Sequence, residues 1–130
     1  MKNLKEMKID ELVKLYKIEE NEEMKSLVLV QILKNMEKYI CSYLSKECKF
    51  LLSSEYKEDV VQECKIAVLE CLEKFNPFNG TAFITYAYLP IKQKVHIFIE
   101  KNIYKDSSYN QKKYGKVEFS SFDNKLDLFL

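Results

Sequence analysis

Residues 58–101 read EDVVQECKIAVLECLEKFNPFNGTAFITYAYLPIKQKVHIFIEK, and this stretch decides the fold. Its first half places Val60, Val61, Cys64, Ala67, Val68, Cys71, Leu72 and Phe75 at helical spacing, with acids on the other side. Pro77 and Gly80, within Asn76-Pro77-Phe78-Asn79-Gly80, stop that helix. Thr81 is placed to cap a second helix over 82–104, with an interruption expected at Pro90, where proline removes a backbone bond and pushes on the Tyr86 carbonyl. The first helix is acidic, the second aromatic and then basic.

Working outward, Ser53-Ser54 precede the first of these helices, predicted over 55–75. Upstream, Ile9, Leu12, Val13 and Tyr16 mark a short amphipathic helix over 8–20. Asn21 followed by Glu22 and Glu23 starts another, over about 24–50, with the stripe Leu29, Leu33, Met36, Ile40, Tyr43 and Leu44. Leu27, Val28, Val30 and Ile32 make its first turns apolar nearly all round, which implies burial between two neighbours or a partner surface. The fold class expected is all-α, a compact bundle of about four helices over residues 1–105. Residues 106–130 form a polar linker and tail, with a final short helix at 123–129 or a linker as the two readings.

Composition agrees. Two Gly and two Pro in 130 residues leave little room for the turns of an all-β fold. Hydrophobic residues at 47% and charged ones at 32% suit a folded helical domain. No apolar run is long enough to span a bilayer and MKNLKEMKID is no signal peptide, so a cytoplasmic protein is expected. Cys41, Cys48, Cys64 and Cys71 form two pairs spaced by seven, two helical turns or about 10 Å, too far for a disulfide within either pair. They read as buried thiols in a reducing compartment, and no metal or other cofactor is expected.

The net charge of +1 hides an uneven distribution. Residues 1–63 hold 11 Lys against 13 acids, whereas residues 92–116 hold 7 Lys against Glu100 and Asp106. All 21 positive residues are Lys, so Lys is expected where relatives carry Arg. Phe83, Tyr86 and Tyr88 lie just before Lys92, Lys94, His96 and Lys101. Aromatic faces stack on unpaired bases while lysines hold phosphates. Gln93 and His96, three apart, can reach base edges. The other reading leaves the aromatics in the core; Phe83 and Ala87 belong there, Tyr86 does in part, and Tyr88, on another face, is the better candidate for exposure. Asp59 and Glu63 are i, i+4 neighbours with Gln62 beside them, either a solvated face or a docking site for a basic partner. His96 is the single histidine, and no nucleophile, base or phosphate loop surrounds it, so no enzyme activity is expected.

Glu58-Asp59-Val60-Val61-Gln62-Glu63, Leu72-Glu73-Lys74-Phe75-Asn76-Pro77, Gly80, Phe83, Thr85-Tyr86-Ala87 and Ile91-Lys92-Gln93 together resemble conserved region 2 of the bacterial sigma-70 family. That resemblance implies a domain that binds core RNA polymerase and helps open promoters. Asp59, Gln62 and Glu63 match positions that dock on the coiled coil of the polymerase's largest subunit. The segment from Phe83 through Thr85, Tyr86 and Tyr88 to Pro90 matches the part that captures the non-template strand of the −10 element. Gln93 and His96 match positions that read its upstream edge, and Lys92, where arginine is usual, suits contact with the backbone. Leu89-Pro90 replace a tryptophan pair, Cys64 a glycine, Asn76 an aspartate and Lys92 an arginine. These departures imply an alternative-type factor, in keeping with a clostridial toxin or bacteriocin regulator. No helix-turn-helix for the −35 element follows, so the chain is expected to be a piece of a longer protein or a subunit that needs a separate region 4 partner; an anti-sigma factor is a further expected partner. A polymerase-binding regulator or sigma antagonist without DNA contact is the rival reading. A metal-dependent nuclease ranks last, since only Glu100 lies within helical reach of His96.

Overall fold

Apolar spacing and local caps set the helices of the computed structural model, which describes residues 3–104. After a single 3-10 turn at Leu4–Glu6, α1 spans Ile9–Ile18, and the Glu11 carboxylate accepts the Lys8 backbone N–H at 3.2 Å. Asn21 caps α2, Glu22–Glu47, by accepting the Met24 N–H at 3.0 Å, with Glu22 and Glu23 in its positive first turn. Cys48, at φ −143 and ψ 55, breaks that helix earlier than the sequence spacing indicates, and α3 is the four-residue turn Lys49–Leu52. The Ser54 hydroxyl accepts the Tyr56 N–H at 3.1 Å just before α4, Lys57–Lys74. Helix α5 spans Phe83–Ile99 and widens at its exit into a π-helical turn, Glu100–Tyr104. No strand occurs among the described residues, so the chain is all-α.

Helix α4 lies at the centre, packed along α5 and against α2, while α1 packs on α2. Its eight inward-spaced residues, Val60 through Phe75, are all buried as the sequence implies. In α2 the buried phase differs by one residue in the first two turns. Val28 and Ile32 are fully buried, whereas Leu29 and Leu33 pack at the core's edge. Leu27 and Val30 face solvent at 59% and 49% exposure, because α1 and α4 cover only part of an apolar circumference. Each fully buried Leu, Ile, Val or Phe side chain contributes about 1.5–3 kcal/mol relative to exposure. Cys48, Cys64 and Cys71 are buried, Cys41 half-buried, and none of the four is in a disulfide.

Two features of α5 differ from the sequence expectation. Thr81 does not cap it. The Phe83 N–H instead donates to Asp10 Oδ1 at 2.8 Å, a carboxylate supplied by α1 from 73 positions away. A negative charge there suits both the unpaired N–H groups and the positive end of the helix dipole. Nor does Pro90 interrupt the helix, which runs through it. Tyr86 and Pro90 both line a surface groove, so the carbonyl left without its helical partner by proline is on the solvent side of α5. The expected tail helix at 123–129 and the boundary at 106 lie outside the described residues. No helix among the described residues is long and apolar enough to cross a membrane.

Candidate functional site

The turn joining α4 to α5 fixes the site's geometry. Asn76 Oδ1 accepts the Phe78 N–H at 2.9 Å, and Asn79 Oδ1 accepts the Thr81 N–H at 3.1 Å. Such Asx contacts hold a turn without help from regular structure. Gly80 adopts φ +88, a conformation that side chains with a Cβ rarely take. The Phe75 ring then meets Phe83 edge-on at 5.2 Å and Tyr86 at 5.2 Å, tying the turn to the start of α5.

On α4, Asp59 and Gln62 are exposed and Glu63 is half-buried beside them. Asp59 and Gln62 form a ridge between two grooves. One, toward α5, also contains Glu63, Lys94, Ile97, Phe98, Lys101 and Asn102. The other, toward α2, also contains Glu37, Lys57, Glu58, Val61 and Lys65, with Lys65 paired to Glu37 at 3.1 Å. Ile66 and Leu69 continue the ridge at helical spacing, and both are exposed. Sequence reading left Leu69 unassigned; its place outside the inward spacing of α4 is the signal that would have found it.

The nine candidate residues of α5 and its exit are sorted by burial. Thr85, Tyr86, Gln93 and Lys101 are exposed; Tyr88, Lys94 and His96 are half-buried; Phe83 and Lys92 are buried, at 0% and 2% exposure. Phe83 and Lys92 therefore sit inside the fold and not at its contact surface. Tyr88 also changes role, since Tyr86 and not Tyr88 is the exposed tyrosine. Tyr88 and Lys92 are i, i+4 neighbours on the side turned to α2, where the Tyr88 ring meets Tyr43 at 5.8 Å and a 90° angle. The Lys92 ammonium lies 5.8 Å from the Tyr88 ring centroid, a cation–π arrangement within the interior.

Tyr86, Pro90, Gln93, Lys94 and Ile97 face Ala67, Glu70, Cys71 and Lys74 across a second length of the α4–α5 groove. Lys94 reaches Glu70 at 3.5 Å, and His96 Nε2 lies 3.6 Å from Glu100. An exposed ion pair such as Lys94–Glu70 holds geometry weakly, at about 0–1 kcal/mol, so a polyanion can compete with Glu70 for Lys94. From Lys74 to Ile99 the chain carries no Asp or Glu. Burial pushes the Cys64 thiol up to about 12, with the nearby Glu63 charge adding to it, so it stays protonated and inert. Burial likewise raises the Tyr43, Tyr88 and Tyr39 hydroxyls above the usual tyrosine value. Among the described residues no group of three His, Cys, Asp or Glu is placed to hold a metal ion.

The arrangement offers an acidic, partly apolar ridge on α4 for a protein and an aromatic and cationic face on α5, whose own residues Phe83–Ile99 include no acid, for a polyanion, both on one hairpin. A protein-family model described as Sigma-70 region 2 matches residues 29–102, which contain both surfaces. None of the curated proteins and none of the solved structures matches the chain.

Proposed function

This chain belongs to the sigma-70 family through its region 2, and we propose that its α4–α5 hairpin joins core RNA polymerase to the −10 element of a promoter. At the family level the domain is a non-catalytic sigma factor module that interacts with core polymerase and promoter DNA. The proposal concerns which residues do so. Asp59, Gln62 and Glu63, extended by Ile66 and Leu69, dock on the coiled coil of the polymerase's largest subunit. Tyr86, Thr85 and Gln93 receive unpaired bases of the non-template strand, and Lys94, His96 and Lys101 hold its backbone. Phe83, Tyr88 and Lys92 act from inside by fixing α5 against α4 and α2. Reading of the −35 element falls to a region 4 on another segment or subunit, and an anti-sigma factor would compete for the α4 ridge. The chain would work as an alternative factor in the cytoplasm, where the polymerase is.

The observation that carries this reading is the juxtaposition on one hairpin of an exposed acidic ridge on α4 and an exposed tyrosine on α5, a helix with no acid from Phe83 to Ile99. Stacking contributes about 1–3 kcal/mol per base, and phosphate contacts give salt-dependent affinity. A pull-down of core polymerase with the 130-residue chain, followed by a gel shift of the complex on single-stranded −10-like DNA, tests it. Binding in both steps is expected. Polymerase binding without strand binding would assign the chain to polymerase regulation or sigma antagonism instead. No polymerase binding would remove the docking role.

A further inference from the structure

Only two aromatic side chains whose exposure is described are exposed, and they flank one turn. Tyr86 is 38% exposed at the start of α5, and Phe78 is 64% exposed in the turn before it. Phe78 takes no part in the core, yet its backbone is held. Its own N–H donates to Asn76, the Asn79 side chain closes the following bend, and Gly80 sets the left-handed turn. A large apolar ring on a pinned loop loses little entropy on binding a flat partner, and its exposure costs solvation until it does. Asn76 and Asn79 are exposed and commit Oδ1 to the turn, so their amide N–H groups remain as donors. The chain itself carries no acid from Lys74 to Ile99, and the Asp10 carboxylate that reaches this turn from α1 is engaged with the Phe83 N–H. An apolar ring beside amide donors, with Lys74 four positions before it, matches an unpaired nucleotide better than a protein patch, since every base presents a π-face and every phosphate an acceptor.

We infer that Phe78 is a second base-stacking residue, which works with Tyr86 to hold one further unpaired nucleotide of the strand at the α4–α5 turn. The inference rests on the proposed strand contact of α5 and adds a site outside the motif positions that suggested it. It also supplies aromatic surface where Leu89 and Pro90 offer none.

The test uses a single-stranded −10-like oligonucleotide carrying 2-aminopurine, titrated with the full chain bound to core polymerase. Phe78→Ala and Phe78→Leu are expected to weaken strand binding by about 5- to 150-fold, the equivalent of one lost stacked base. Phe78→Trp restores it, and polymerase affinity is unchanged in all three. If Phe78→Leu binds the strand like the parent chain, apolar bulk and not stacking is at work and the inference fails. Weakened polymerase binding in Phe78→Ala would assign the ring to a protein contact and overturn it too. If Phe78→Ala is silent while Tyr86→Ala loses affinity, the second site is excluded and the α5 reading stands. If both are silent, the α5 reading itself is overturned.

Discussion

The two ends of the α4–α5 hairpin are built differently. At the open end, acids and lysines mix: Asp59 and Glu63 share a groove with Lys94 and Lys101. At the turn end the chain carries no acid from Lys74 to Ile99, the one carboxylate brought there by α1, Asp10, is engaged with the Phe83 N–H, and two aromatic rings stand exposed by a loop held by its own asparagines. The open end is adjustable, since its pairs are exposed and weak. The turn end is preorganised, since its geometry exists before any partner arrives. A hairpin so divided can stack unpaired bases at the turn end, while at the open end the acids of α4 and the lysines that follow along α5 lie in one groove, where the two partners come closest.

The division is most exposed to a double substitution at the open end. Asp59→Ala with Glu63→Ala is expected to abolish polymerase capture while the helical circular dichroism and the melting temperature stay near those of the parent chain. Persistent capture would mean that the open end is a solvated face. At the turn end, Phe83→Ala is expected to cost about 3–5 kcal/mol in urea unfolding, because the buried ring leaves a cavity beside Phe75. A variant that kept full stability but lost strand binding would return Phe83 to the contact surface.

The shared interior responds to alkali. The Cys64 thiol, with an ordinary pKa of 9.0, is pushed up to about 12 in the fold, first by burial. As pH rises through that window the unfolded thiol ionises and the folded one does not, so the unfolded state binds fewer protons and stability falls with rising pH. The loss should be on the order of 1 kcal/mol by about pH 10, and Cys64→Val should shrink it. Chemical denaturation at several alkaline pH values measures both; an equal loss in the variant would place the effect elsewhere. Asp10→Ala should cost about 0.5–2 kcal/mol and speed amide exchange at the start of α5. Unchanged exchange there would show that the turn alone holds the turn end. The smallest effect separates two lysines. Lys101→Gln should reduce the salt dependence of strand binding by about 0.7 in log–log slope, whereas Lys92→Met should leave the slope alone. Equal effects would contradict the burial of Lys92.

Legibility followed the width of each apolar stripe. Helix α4 has a narrow one, with Cys64, Ala67, Val68 and Cys71 inward and Gln62, Glu70 and Glu73 outward, so spacing alone fixed its buried face and left the acidic ridge in view. Helix α5 is apolar on nearly every side: Ile84, Tyr86, Tyr88, Leu89, Ile97 and Phe98 point in different directions around its axis. Periodicity then gives the angles between residues but not which angle meets a neighbour. Tyr88 was therefore expected outside and Tyr86 partly inside, the reverse of what α2 and the Phe75 ring impose. The N-terminal turns of α2 were ambiguous for the same reason, and Val28 and Ile32 took the core positions.

The sequence by itself determined that the chain is helical, where α4 begins its inward face and where it stops, and, through its motifs, the family to which it belongs. These depend on local propensity and on spacing within one helix. Only the tertiary structure decided that Lys92 is interior, that Asp10 and not Thr81 caps α5, and that Phe78 and Tyr86 are the exposed rings. Each of those depends on contacts between segments far apart in the chain, 73 positions for Asp10 and Phe83, and a side chain's burial is settled by which neighbour arrives to cover it.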